Sequence, residues 1–62
     1  MPEKWTGDLI GKMHNNKITY EALGEKLGMT KSYIGMILNG TRKPAGARER
    51  LEAAVDELIA EA

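Results

Sequence analysis

Few side chains in this chain are equipped for covalent chemistry. His14 is the only histidine and Ser32 the only serine among the 62 residues, and cysteine is absent. A nucleophile needs a base within hydrogen-bond reach, and no such pair can be assembled; nor does any glycine-rich loop read as a phosphate cradle. His14 also lacks a second histidine, a cysteine or a carboxylate at ligand spacing, so no metal site is expected. The composition therefore points away from an enzyme and implies no cofactor and no small-molecule substrate.

What remains is noncovalent recognition. Lys31, Ser32, Gly35, Met36 and Asn39 recur at offsets 0, 1, 4, 5 and 8, which is one face of a helix, while Ile34, Ile37 and Leu38 fall on the other. A bare Gly35 midway along the outer stripe lets such a helix lie close to another surface, such as the wall of a DNA major groove. Beyond the stripe, Thr41, Arg42 and Lys43 follow in a short polar connector closed by Pro44.

The elements that must hold this stripe are legible from their ends. An apolar residue, a threonine and an apolar residue four positions later recur as Trp5-Thr6 with Ile10, Ile18-Thr19 with Leu23, and Met29-Thr30 with Ile34. Each threonine is expected to cap a helix N-terminus, with the apolar pair stapling the entering chain. Pro2 offers the first helix an earlier start. Stops are expected at His14-Asn15-Asn16, at Gly28 and at Asn39-Gly40. Helices are thus predicted over about 7–14, 20–27, 31–38 and 46–60. In the last, Ala47, Leu51, Ala54, Val55, Leu58 and Ile59 form one apolar stripe. No segment alternates with period two, so the fold class is all-α, with Trp5, Leu9 and Met13 in the core beside Leu23, Leu27, Ile34 and Ile37. Gly24 is expected to let the second and third helices approach closely.

A chain of this length buries only about 60% of its unfolded surface and supports one core, so residues 1–62 read as a single domain. The N-terminus has no basic segment followed by an apolar run, and no stretch approaches the ~20 apolar residues of a membrane span. A soluble cytoplasmic protein without a membrane partner is expected. Net charge is zero, but it is divided. Residues 1–46 carry seven basic and four acidic side chains, and residues 47–62 two basic and five acidic. A basic body and an acidic last helix can turn one face to phosphates. In that helix Arg48 and Arg50 crowd the N-terminus and Asp56, Glu57 and Glu61 the C-terminus, against the helix dipole, which points to charges that serve a partner.

Helix two, a turn holding Gly28 and helix three have the size of a helix-turn-helix over 19–39. The run Ile18-Thr19-Tyr20-Glu21-Ala22-Leu23-Gly24-Glu25-Lys26-Leu27-Gly28-Met29-Thr30-Lys31-Ser32-Tyr33-Ile34, continued by Asn39-Gly40-Thr41-Arg42-Lys43-Pro44, resembles the lambda-repressor and Cro-type helix-turn-helix family. Gly11-Lys12-Met13-His14 and the last amphipathic helix are similar to phage-derived Cro-like regulators. The resemblance implies a four- to five-helix DNA-binding domain acting as a repressor-like transcription regulator, in a bacterial cytoplasm or a phage-infected host. It implies that Lys31, Ser32, Tyr33 and Met36 read base edges, and that Tyr20, Asn39, Thr41, Arg42 and Lys43 meet the DNA backbone. Arg48, beside that loop, would extend the phosphate-binding strip. Tyr20 stands where the family usually has a glutamine that braces the recognition helix, Gly24 where alanine is usual, Met36 where arginine is frequent and Leu38 where glutamate is frequent.

Leu58 and Ile59 extend past the length that three short helices can shield, and are expected to form the interface of a homodimer on double-stranded DNA. The zero net charge leaves a second reading open, a helical protein-interaction module that has lost DNA affinity.

Overall fold

The computed structural model describes residues 3–61, so Pro2, a possible early helix start, lies outside the described residues. Four helices follow one another: α1 (Lys4–Asn15), α2 (Tyr20–Leu27), α3 (Lys31–Leu38) and α4 (Ala47–Glu61). α2 packs on both α3 and α4, and α1 closes the other side against α3 and α4.

α2 and α3 start as their sequences require. Thr19 Oγ1 accepts the Ala22 N–H at 3.0 Å, and Thr30 Oγ1 accepts the Tyr33 N–H at 3.0 Å, each relieving one orphan donor of the first turn. α1 does not start at Thr6. It opens at Lys4 with Glu3 as a cap that makes no side-chain bond, and Thr6 is 3% exposed inside the first turn. Its hydroxyl donates to the Glu3 carbonyl at 2.6 Å, a bond to the residue three positions back that threonine forms readily within a helix. The expected Trp5–Ile10 staple is lost with that cap. Because the helix already runs through Trp5, the residue one turn on that faces the core is Leu9, and Ile10 is turned outward.

The two inner connectors share one construction. At the end of α1, Ile18 N–H donates to the Met13 carbonyl at 2.8 Å and Lys17 N–H to the His14 carbonyl at 3.2 Å, with Lys17 in the left-handed region at φ 57°. At the end of α2, Met29 N–H donates to the Gly24 carbonyl at 2.8 Å around Gly28 at φ 72°. These bonds satisfy the last carbonyls of each helix. The apolar residue that completes each stop, Ile18 or Met29, then precedes the threonine that starts the next helix. Both pack against the core.

The core is Leu9 and Met13 of α1, Leu23 of α2, Ile34, Ile37 and Leu38 of α3, and Ala47, Leu51, Ala54 and Val55 of α4. Leu38 is 1% exposed, so the leucine that replaces the family's frequent glutamate serves packing. Trp5, Leu27, Leu58 and Ile59 are half-buried against this core. The expectation that Leu58 and Ile59 project past the body is therefore corrected: α4 lies along α2, and its last turns are covered on their inner side.

Candidate nucleic-acid interface

α3 divides into two faces. Ile34, Ile37 and Leu38 are buried, Lys31, Ser32 and Asn39 are exposed, and Gly35 and Met36 lie half-covered between them. Lys31 is the first residue of α3, whose first turn holds no acidic side chain. That cation stands at the positive end of a helix dipole, an arrangement that costs about 0.3–1 kcal/mol until an anion joins it. Tyr33 is half-buried and packs against the core, which leaves only part of its ring for a partner.

Gly24 has a narrower role than helix approach. A Cβ there would lie 2.5 Å from the Met29 carbonyl oxygen, so it is the turn between α2 and α3, rather than α3 itself, that crowds this position. At Gly35 the neighbour is Tyr20: a Cβ would lie 4.0 Å from the Cδ2 and Cε2 edge of its ring. The ring of Tyr20, at the start of α2, thus lies beside Gly35 of α3.

The connector after α3 is tightly wound. Gly40, at φ 87°, lets the Thr41 N–H reach the Met36 carbonyl at 2.9 Å, and the Arg42 N–H shares the same oxygen at 3.1 Å. Asn39 Oδ1 accepts the Thr41 N–H at 2.9 Å, so this side chain is partly committed to shaping the loop. Arg42 and Lys43 are exposed, and with Trp5, Pro44 and Arg48 they border a groove of about 210 Å³ between α1 and the start of α4.

Ion pairs explain the charge distribution. Lys12 Nζ meets Asp56 Oδ1 at 2.6 Å, and Lys26 Nζ meets Glu57 at 3.7 Å and Glu61 more closely. The Glu61 hydrogen bond, above all, raises the Lys26 pKa from its ordinary 10.5. The acids near the end of α4 therefore serve lysines of α1 and α2, and this corrects the expectation that they serve a partner. Arg48 pairs with Glu52 at 3.3 Å, one turn away. Among the described residues Lys31, Arg42 and Lys43 have no ion-pair partner, and neither do Lys4, Lys17 and Arg50. The approach of Tyr20 to Gly35 and the pairing of Asp56, Glu57 and Glu61 with Lys12 and Lys26 were not readable from spacing, because they join elements whose mutual placement only the fold sets.

No three metal-ligating side chains gather among the described residues, and no helix there is long and apolar enough to cross a membrane. An all-helical body, two short helices joined by a capped turn, and an outer α3 stripe flanked by unpaired cations define a small DNA-binding domain. The helix-turn-helix family model matches residues 13–48. The chain belongs to that family, of the lambda-repressor and Cro type. No curated protein and no solved structure gives a match to the chain.

Proposed function

We propose that the chain is a sequence-specific, repressor-like transcription regulator that inserts α3 into the DNA major groove and works as a homodimer on a pseudo-palindromic operator. The observation that carries this reading is the outer face of α3 within the matched family segment. Lys31 and Ser32 are exposed at its N-terminal end, and Met36 and part of Tyr33 lie beside them. Lys31 would donate to guanine O6 and N7, Ser32 to a base edge, and Met36 would offer apolar contact to a thymine methyl.

Tyr20, Asn39, Thr41, Arg42, Lys43 and Arg48 would hold the phosphates on either side. Arg48 must leave Glu52 to do so. An exposed pair one turn apart is worth only about 0.3–0.5 kcal/mol, so a phosphate replaces it at little cost. Two copies are part of this reading because each chain would place one recognition helix and a palindrome offers two half-sites. The sides of Leu58 and Ile59 that the core leaves open are the apolar surface proposed for contact between copies.

Selection from randomised duplexes tests the reading. The expected result is an enriched pseudo-palindrome with half-site centres about one helical turn apart, bound with an affinity that falls steeply as salt rises. Absence of any enriched sequence, with weak binding indifferent to salt, would instead identify a protein-interaction module.

A further inference from the structure

We propose that Tyr20, reaching across from α2, supplies the groove-facing surface that Gly35 lacks, and that its ring reads one thymine methyl in each half-site. This rests on the operator reading above and goes further, because that reading gives Tyr20 only a phosphate. Gly35 lies one turn after Lys31 and one turn before Asn39, both exposed, so its missing side chain would have pointed along the outer stripe. The edge of the Tyr20 ring lies 4.0 Å from that missing Cβ, which is ordinary van der Waals contact. The ring edge therefore stands beside the mid-stripe position, at contact distance from where a side chain would begin, and Tyr20 and Gly35 are both half-buried.

A ring in that place presents carbon, not a donor, at mid-stripe. The major-groove feature that carbon recognises is the C5 methyl of thymine. Burying one methyl group corresponds to roughly a three- to fivefold change in affinity. The phenol hydroxyl remains free for a phosphate, an interaction that carries no sequence information. The ring and the hydroxyl are thus separable by substitution.

The test steps deoxyuridine, which lacks the methyl, through every thymine of the selected operator. With the unmutated chain, one thymine per half-site other than any read by Met36 should lose about three- to fivefold in affinity on methyl removal. Tyr20→Phe should keep that sensitivity, and Met36→Ala should keep it too. Tyr20→Ala should bind thymine and deoxyuridine equally at that step. Should circular dichroism show the alanine variant unfolded, Tyr20→Gln, the residue usual in the family, replaces the ring with a polar chain and should show the same loss of sensitivity. No methyl-sensitive thymine beyond one whose sensitivity Met36→Ala removes, or a sensitivity unchanged in the ring-less variants, overturns the proposal while leaving the operator reading intact. Failure of the unmutated chain to select any operator sinks the operator reading itself, and this inference with it.

Discussion

Lys31 and Ser32 show how far residue types alone carry the site. Their offset pattern placed them on the outer side of α3, and they are exposed there because Ile34, Ile37 and Leu38 take the inner side. Replacing both with alanine should leave the helical spectrum unchanged and reduce discrimination against wrong bases by about 1–3 kcal/mol for each base edge no longer read. Unchanged operator preference in a competition assay would remove α3 from the reading role. Gly24 was legible as a crowded glycine but not as to its neighbour, since the turn carbonyl of Met29 is a product of backbone geometry that no side-chain pattern encodes. Alanine there gains up to about 1 kcal/mol of helix propensity but sets a Cβ 2.5 Å from a backbone oxygen. Overpacking of this kind typically costs about 1–3 kcal/mol, so Gly24→Ala should destabilise the fold on balance. A urea midpoint equal to or above that of the unmutated chain would contradict this.

At the scale of elements, the helix ends that depend on threonine caps, on glycine and on the His14-Asn15-Asn16 run were legible, and the start of α1, which depends on context, was not. α2 and α3 run over 20–27 and 31–38 as their caps and stops predict. α1 starts earlier because Thr6 finds a carbonyl acceptor within its own turn. It stops where expected, at His14-Asn15-Asn16, with Asn15 last and Asn16 as the cap, and the chain then turns through a left-handed Lys17. A signal for that turn was present: Lys17 precedes Ile18-Thr19 as Gly28 precedes Met29-Thr30, so the second connector is a template for the first. A left-handed conformation costs an ordinary L-residue about 1–2 kcal/mol, whereas glycine adopts it freely but loses more chain entropy on folding. Lys17→Gly should accordingly stabilise the domain by a net of about 0.5–1 kcal/mol, raising Tm by roughly 2–8 °C for a domain of this size. A lowered Tm would mean that the lysine stem contributes packing that outweighs its backbone strain.

The whole molecule sorts its charges by fold, which is why a zero net charge is no obstacle to binding DNA. Asp56, Glu57 and Glu61 of α4 are held on Lys12 and Lys26, and Lys31, Arg42 and Lys43 beside the recognition helix are, like Lys4, Lys17 and Arg50, without ion-pair partners among the described residues. Arg42→Ala and Lys43→Ala should therefore weaken binding to all duplexes alike and flatten the dependence of log affinity on log salt by nearly one unit for each phosphate that the loop no longer neutralises. Weakening confined to the selected operator would mean that the loop reads bases.

The same view of the molecule fixes what to expect of assembly. The body measures 31 × 22 × 18 Å, so its longest dimension is close to one turn of duplex, about 34 Å, and one copy cannot place a recognition helix in two successive major grooves. Palindrome recognition thus requires two copies. Stable association without DNA needs about 800 Å² of surface per partner, and the inner sides of Leu58 and Ile59 are already committed to the core. Ile10, at 36% exposure, is the one large apolar side chain that stands well out in solvent among the described residues. The free chain should therefore sediment as a monomer at tens of micromolar, and two copies should assemble on a palindromic duplex, each on its own half-site, with the small contact between copies adding to DNA affinity. Sedimentation with and without the selected duplex reads both states. A single copy per palindrome at saturation would overturn the homodimer, while a dimer already present in the free chain would show that the open sides of Leu58 and Ile59, together with other surface, reach the area that stable pairing demands.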